Sequence, residues 1–304
     1  MKFRVLSDSS CDITKEQEER YHIGIIPYYV SMDGVHYKKD RVEITAEEFY
    51  REMAENPGVY PKTSTPTQVD LYHFFLPYAK AGEQVLYFNL TAKFSSSYQS
   101  ITLIAEELME EYPACKIIVV DSYSATVQEG LLVTEAARMA EDGLTLEEAA
   151  KRIETLKMTS RIFFTTADLS YLQKGGRVGK AMIQVASMLK IKPMIQLYEG
   201  ELQAAGAAEK NPCSALLTIP SDFSRIRIST ITASAQAMAM IKRNSMPFMR
   251  RWSRKCGSLA FRARWSSITS AARLACIQGL PPSALRSSEN MTHKRYAENR
   301  ILTC

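Results

Sequence analysis

The charge of this chain changes sign near Glu209, and this break limits which part of the chain can be read as one fold. Residues 1–209 contain 22 Lys/Arg and 30 Asp/Glu, a net charge of −8, whereas residues 210–304 contain 16 Lys/Arg and 3 Asp/Glu, a net charge of +13. The overall charge of +5 is therefore an average of two unlike pieces. Because the basic excess lies wholly in the second piece, we do not interpret it as a sign of nucleic-acid binding.

The first piece alternates between strand patterns and helix patterns. Apolar or β-branched runs typical of strands lie at residues 3–7, 23–30, 84–90, 116–121, 162–166 and 191–197, the last returning as a hairpin at 200–204. Four of the intervening helices are predicted to begin at capping boxes, which are Thr14–Gln17, Thr45–Glu48, Thr65–Gln68 and Thr145–Glu148. This alternation predicts an α/β fold with a mainly parallel sheet flanked by helices.

Two further elements complete this prediction. The nearly unbroken apolar run at 23–30 is expected to form one strand buried on both faces. A further helix is expected at residues 180–189.

Hydroxyl-rich segments follow several of the predicted strands. They are Asp8-Ser9-Ser10, Thr63-Ser64-Thr65-Pro66-Thr67, Ser95-Ser96-Ser97 and Asp121-Ser122-Tyr123-Ser124. Ligands of parallel sheets bind at the carboxyl ends of the strands, and hydroxyls together with helix-start amides can hold an anion. These segments therefore indicate an anion site, although Ser and Thr also favour caps and turns without any ligand.

Several other kinds of site do not fit the sequence. The segment from Gly175 to Ala181 has three residues between its glycines where a phosphate loop needs four, and Ala181 cannot bind magnesium. No G-x-S-x-G elbow occurs, and the three histidines of the first piece, His22, His36 and His73, are expected at the surface or half-buried.

The cysteine spacing and the hydropathy of the sequence bear on metal binding and on cellular location. No His/Cys cluster has zinc spacing, so the cysteines are expected to be reduced and to bind no metal. There is no apolar run long enough to span a membrane and no signal-peptide pattern at the start, so a cytoplasmic protein without integral membrane association is expected.

The order and spacing of several segments resemble the bacterial DegV family over about residues 1–208. The segments are Ser7-Asp8-Ser9-Ser10-Cys11-Asp12, Thr63-Ser64-Thr65-Pro66-Thr67, Phe94-Ser95-Ser96-Ser97-Tyr98-Gln99-Ser100, Val119-Val120-Asp121-Ser122, Gly175-Gly176-Arg177-Val178 and Glu201-Leu202-Gln203. The resemblance implies a two-domain α/β protein that binds a long-chain fatty acid in a tunnel and presents its carboxylate to a fatty acid kinase for phospholipid synthesis. The protein would then be a carrier and not an enzyme, and it would need no cofactor or metal.

The resemblance also assigns residues. By position, Thr63 and Ser95 would hydrogen-bond the fatty-acid carboxylate, with Ser96 beside them, and Arg177 would match a basic position near the interdomain face. The chain departs from the family at Lys93 and Phe94, where small or aliphatic residues are usual, and at Gly179, where Ser is common.

The family likeness ends where the charge changes. The resemblance implies charged helices and a His-x-Gly-Pro segment in the C-terminal domain, and this chain has neither after residue 208. Read in another frame, codons compatible with residues 275–280 give X-His-Thr-Gly-Pro, and residues 209–211 allow an adenine run where a frame can slip. We therefore expect a frameshift near residues 209–211; a divergent basic tail and a purpose-built nucleic-acid or membrane tail are the alternatives.

These observations predict a division of the chain. Residues 1–160 would form an N-terminal α/β domain, residues 161–208 would begin an incomplete second α/β domain, and residues 209–304 would be an aberrant basic tail with little structure. A product made as written is expected to be poorly soluble and to bind fatty acid weakly, because an apolar sheet edge would lack its cover.

The sequence leaves two alternatives to a fatty-acid carrier. One is an enzyme acting on a small anionic substrate with Ser9, Ser95 or Ser122 as nucleophile, although no activating base is evident in the first piece. The other is a non-functional product of a frameshifted gene.

Overall fold

The computed structural model describes residues 2–165, 169–177 and 192–208. It confirms an α/β architecture with a parallel sheet flanked by helices. That sheet has four strands in the order β2-β1-β6-β7, all parallel. The strands are β1 (Arg4–Asp8), β2 (Gly24–Ile26), β6 (Gln84–Asn89) and β7 (Lys116–Asp121).

The sheet separates two apolar cores because alternate residues of each strand point to opposite faces. Val5, Leu86 and Phe88 pack on one face against α5 (Thr126–Glu141) and α6 (Leu146–Thr159). Leu6 and Tyr87 pack on the other face against α3 (Gln68–Lys80) and α4 (Ser97–Glu111). The other helical elements before residue 162 are a 3-10 turn (Ser9–Cys11), α1 (Lys15–Tyr21) and α2 (Ala46–Glu55).

Three of the four predicted capping boxes are confirmed. The side chains of Thr14, Thr45 and Thr145 accept hydrogen bonds from the backbone amides three residues on, and the residues at those positions bond back. The prediction at Thr65–Gln68 is wrong, since α3 is capped by Thr67, whose side chain accepts from the Asp70 amide. Asp70 also accepts hydrogen bonds from Lys39 and Tyr29, so tertiary contacts favour this later start.

The single strand predicted at residues 23–30 is also wrong. The segment divides into β2 and β3 (Tyr29–Ser31), which belong to different sheets. Pro27 stands between them and has no amide hydrogen for a ladder, and the next amide, of Tyr28, donates to Ser9 Oγ at 3.1 Å. The chain therefore turns out of the parallel sheet at this point.

Two smaller sheets lie beside the parallel one. The first has the order β4-β3-β5, with β4 (Lys38–Lys39) and β5 (Lys62–Ser64) both antiparallel to β3. The second has the order β10-β9-β8 and is antiparallel, with β8 (Ile162–Thr165), β9 (Lys192–Tyr198) and β10 (Glu201–Ala208). The expected hairpin at the end of the first piece is thus confirmed, and α7 (Ser170–Gly175) follows β8.

Some predictions fall wholly or partly outside the described residues. The helix expected at 180–189 and the tail after residue 208 lie there, and the division at residues 160 and 208 stays a prediction. In the described ranges, Cys11 and Cys115 are buried and free. No helix in those ranges is both long and apolar enough to cross a bilayer.

Candidate functional site

The candidate site begins where three parallel strands end at one edge of the sheet. Asp8, Asn89 and Asp121 are the last residues of β1, β6 and β7. Asp121 Oδ1 accepts hydrogen bonds from the Ala92 amide at 3.2 Å and the Tyr123 amide at 3.1 Å. The loops after β6 and β7 are therefore held together, and the predicted hydroxyl-rich segments at 95–97 and 121–124 come to one edge.

A chain of hydroxyls organises the loop after β6. Tyr28 donates its phenolic hydrogen to Ser97 Oγ at 2.6 Å, and Ser97 donates in turn to Asn89 Oδ1 at 2.9 Å. Ser97 is buried, and burial raises the pKa of Tyr28 above its ordinary value, so the phenol keeps its proton. The hydroxyl hydrogens of Tyr28 and Ser97 are therefore both used in hydrogen bonds within the protein.

Ser95 lies in the same loop as Ser97 and is held in position by it. Ser95 Oγ accepts a hydrogen bond from the Ser97 amide at 3.2 Å, which fixes the side chain near the start of α4. The Ser95 hydroxyl also bonds to the phenol of Tyr28, and the residue is half-buried. Ser95 is thus a positioned hydroxyl beside Tyr28, whereas Ser96 is exposed and precedes α4 without a side-chain cap.

Thr63 reaches the same region from another direction. It lies on β5, where it pairs with Val30 of β3, two residues after Tyr28. Thr63 is exposed and no hydrogen bond within the described residues joins it to Ser95. Thr63 therefore lies beside Val30 and the loop of Ser95 bonds to Tyr28, two residues before it, without a direct bond between Thr63 and Ser95.

Arg177 contacts the loop that carries the serines. Its Nε donates to the carbonyl of Phe94 at 3.1 Å, and its guanidinium also donates to the Gly175 carbonyl. Phe94 immediately precedes Ser95, so Arg177 restrains the backbone of this loop. The Arg177 side chain itself is exposed.

An apolar cluster adjoins the serine loop. Its fully buried members, on the loop after β7 and on the second sheet, are Ala125, Ile162, Ile195, Leu197 and Leu202. Half-buried residues pack against them, among them Leu90 and Phe94 of the serine loop. The site thus combines hydroxyl donors with apolar surface, as an amphiphilic anion requires.

The two departures at Lys93 and Phe94 have structural partners. Phe94 belongs to the apolar cluster, and Lys93 pairs with Glu201 at 3.1 Å. Both contacts join the serine loop to the hairpin of β9 and β10, whose turn also accepts a bond from Thr91 Oγ1 at the Gly200 carbonyl, 3.1 Å away. These residues therefore fasten the loop to the second sheet.

The sequence profile of the DegV family, described as uncharacterised proteins, matches residues 2–220. The chain belongs to the DegV family. A DegV domain-containing protein of Clostridium perfringens is 33% identical over 200 residues, which are 66% of this chain and 70% of the relative. A second one, from Caldanaerobacter subterraneus, is 33% identical over 202 residues, with the same coverage of 66% and 70%.

Solved DegV structures share the fold. A stearic acid-binding protein of Eubacterium ventriosum is 33% identical with a TM-score of 0.67, covering 80% of this chain and 78% of its own. A fatty acid-binding DegV protein of Thermus thermophilus is 29% identical with a TM-score of 0.64, covering 73% of this chain and 77% of its own. The resemblance inferred from the sequence segments is thereby confirmed.

Buried carboxyls in this DegV protein were missed by sequence reasoning. Asp8 and Glu129 are both fully buried, and Ser10 Oγ lies 2.5 Å from Asp8 Oδ1 and 2.9 Å from Glu129 Oε2. Burial raises the pKa of Asp8 to about 6 and that of Glu129 well above its ordinary value. Glu129 occupies the buried face of α5 next to Gly130 and Leu132, so helical periodicity was the signal that could have found it.

The three candidate nucleophiles, Ser9, Ser95 and Ser122, are each hydrogen-bonded within the DegV protein, and Ser9 also bonds to the Asp40 carboxyl. Ser9 Oγ accepts from the Tyr28 amide, and Ser122 Oγ donates to the Ser124 carbonyl at 3.2 Å. Among described residues, no histidine hydrogen-bonds to Ser9, Ser95 or Ser122. His22, His36 and His73 are all exposed, as expected.

The described part of the DegV chain contains no group of three or more His, Cys, Asp and Glu residues arranged to hold a metal ion. A cavity of about 390 Å³ lies between β2, β4 and α3, lined by Ile26, Pro27, Lys39, Asp70, His73 and Phe74. It contains neither Thr63 nor Ser95, and an ion pair of 2.8 Å between Lys39 and Asp70 forms part of its wall. We therefore do not assign the head-group site to this cavity.

Proposed function

We propose that this DegV protein binds a long-chain fatty acid whose carboxylate is held by the hydroxyls of Thr63 and Ser95, with Ser96 beside them. The observation that carries the proposal is the positioned, half-buried Ser95 hydroxyl, whose loop adjoins the apolar cluster. A carboxylate removed from water needs several donors, and hydroxyls supply them without the full neutralisation that an arginine brings. The solved DegV relatives described as binding fatty acids support the same ligand class.

The apolar cluster next to Phe94 would accept the first part of the acyl chain. Arg177 would act on the loop through the Phe94 carbonyl and not on the carboxylate. In this arrangement the carboxylate lies at the carboxyl ends of the strands and the acyl chain lies in the apolar cluster. The carboxylate, which is the reactive group, is then at the open end of the site.

We further propose that the protein is a cytoplasmic carrier that presents this carboxylate to a fatty acid kinase, with no cofactor of its own. Phosphorylation would take place on the kinase, because no histidine hydrogen-bonds to Ser95 or Ser96 among the described residues. Turnover of a labelled phosphate or ester substrate without added kinase would instead favour the enzyme alternative.

The head-group assignment predicts the effect of removing one donor. Ser95→Ala and Thr63→Ala should each weaken oleate binding about tenfold, because a hydrogen bond to a charged, partly desolvated carboxylate is lost. Isothermal titration calorimetry with oleate measures the change in affinity. It is carried out on the protein as translated and on the product of the same gene with its reading frame restored.

Ser64→Ala is the matched control for these variants. Ser64 neighbours Thr63 on β5 but points to the opposite face, and its hydroxyl has only a 3.5 Å contact with the Thr65 carbonyl. We expect its affinity for oleate to stay within twofold of the unchanged protein. Wild-type affinity in both Ser95→Ala and Thr63→Ala would refute the head-group site.

The division into residues 1–160, 161–208 and 209–304 is also a proposal. We expect DNA sequencing across the codons for Glu209 to Asn211 to show one base too many or too few. An uninterrupted reading frame in the source DNA would establish that the basic tail is made as written.

A further inference from the structure

One serine hydroxyl stands between the two buried carboxyls at the end of β1. Ser10 Oγ is 2.5 Å from Asp8 Oδ1 and 2.9 Å from Glu129 Oε2. A serine has a single hydroxyl hydrogen and can donate it to only one of these oxygens. The other contact is a hydrogen bond only if that carboxyl donates, so the geometry requires a proton on one of the two.

The backbone around the pair shows which carboxyl holds the proton. Asp8 accepts two amide hydrogens, from Ser10 at 2.8 Å and from Leu90 at 3.0 Å, and such donors favour a charged carboxylate. Glu129 meets only hydroxyls, and that of Ser7, 3.3 Å away, is equally close to the Phe88 carbonyl. The hydrogen bonds therefore run from Glu129 to Ser10 and from Ser10 to Asp8.

Among the described residues, none supplies a positive charge to either carboxyl. The titratable groups that interact electrostatically with Glu129 come from β1, from the turn after it, from the segment before β3 and from β6; they are Asp8, Cys11, Asp12, Tyr28 and Tyr87. Arg41 acts on Asp12 and Asp40, and within the described ranges neither Asp8 nor Glu129 forms an ion pair. Burial without a cation raises the pKa of Glu129 well above its ordinary value.

This pair is connected to the proposed head-group site. Asp8 accepts a hydrogen bond from the Leu90 amide at the start of the loop that carries Ser95, and Ser9 Oγ accepts one from the Tyr28 amide. Tyr28 then bonds to Ser97, whose amide positions Ser95. A change in the carboxyl pair is therefore transmitted to Ser95 through two short hydrogen-bonded routes.

We propose that Glu129 is a positioning residue that holds the Ser95 loop only while it is protonated, so that fatty-acid binding weakens as the pH rises. The inference rests on the proposed function for its ligand. Loss of the Glu129 proton places a second negative charge beside Asp8 and leaves the Ser10 hydroxyl with one hydrogen for two carboxylates. The turn after β1 then moves away from α5, and the bonds to Leu90 and Tyr28 loosen with it.

The sign of the pH effect follows from the direction of the shift. A carboxyl whose pKa is raised by folding contributes its full stabilisation below its ordinary pKa, about 4.5, and loses it as the pH rises through the raised value. The shift of Asp8 to about 6 acts in the same direction. The lowered pKa of Asp33 and of Asp70 acts in the opposite direction, but Asp33 is exposed and Asp70 lies away from this pair.

Glu129→Gln tests the proposal, because the amide reproduces the protonated carboxyl: its NH₂ donates to Ser10 and its oxygen accepts from Ser7. Oleate dissociation constants are measured on the full chain from pH 5.5 to 8.5. We expect the wild-type constant to rise about tenfold more than that of Glu129→Gln over this range, since one linked proton gives at most about tenfold per pH unit. Titration of oleate itself is common to both proteins and cancels in the comparison.

A ligand-free readout separates the inference from the proposed function. The midpoint of thermal unfolding of the wild type should fall relative to that of Glu129→Gln as the pH rises, and infrared spectra should show a protonated carboxyl band at neutral pH that Glu129→Gln lacks. Parallel pH profiles for the two proteins, or absence of that band, would overturn the inference. If neither protein binds oleate at any pH, even with the reading frame restored, the proposed function fails, and the unfolding and infrared data still decide the role of Glu129.

Discussion

Leu108→Ala is expected to lower the free energy of unfolding by about 3 kcal/mol. Leu108 lies on α4 and is fully buried in the core between that helix, α3 and the parallel sheet. Its removal forfeits the burial of its apolar atoms and leaves a cavity that rigid neighbours fill only in part. Urea denaturation followed by circular dichroism measures the change, and the slope of the transition should stay the same because the surface exposed on unfolding hardly changes.

Leu103 supplies the matched control on the same helix. It carries the same side chain but is 56% exposed, so Leu103→Ala should change the free energy of unfolding by less than about 0.5 kcal/mol. Equal losses for the two variants would mean that burial against the sheet does not set the stability of α4, since alanine has at least the helix propensity of leucine. Such a result would contradict the two-face packing described for the sheet.

Local sequence signals predicted most of the fold. The strand ends at Asp121 and the caps at Thr14, Thr45 and Thr145 were found because each depends on residues within four positions of one another. The two wrong predictions, the single strand at 23–30 and the capping box at Thr65, concern structure that local sequence does not determine. There the outcome depends on distant partners, Ser9 for the Tyr28 amide and Lys39 for Asp70.

The candidate site was only partly predictable for the same reason. Hydroxyl-rich segments after strands could be found in the sequence, and parallel topology then brings residues 8–10, 95–97 and 121–124 to one edge. No pattern in the sequence showed that Ser97 donates its hydroxyl hydrogen to Asn89 or that its amide fixes Ser95 Oγ. The pairing of Asp8 with Glu129 spans 121 positions and depends on how α5 packs on β1, so no local motif reports it.

Gly130→Ala is expected to lower the free energy of unfolding by about 3 kcal/mol. A Cβ atom at Gly130 would lie 2.3 Å from the carbonyl oxygen of Cys11, far inside contact distance, and the obstacle is backbone that cannot rotate away. Alanine in a helix gains about 1 kcal/mol over glycine, but over-packing against a fixed neighbour costs more than that. The steric clash therefore outweighs the helix gain, and the free energy of unfolding falls. Equilibrium denaturation in urea measures this change.

Gly175→Ala is the control, because a Cβ atom there meets nothing within 4 Å and the same helix gain applies at the end of α7. We expect it to be neutral or slightly stabilising, and a stable Gly130→Ala protein would show that α5 can shift freely from the turn after β1. The close approach of Gly130 to that turn has a functional consequence, since the neighbouring residue is Glu129. A helix pushed outward at Gly130 carries Glu129 away from Ser10, so Gly130→Ala should also weaken oleate binding. That loss would follow from the displacement of Glu129, although Gly130 itself contributes no side chain to the site.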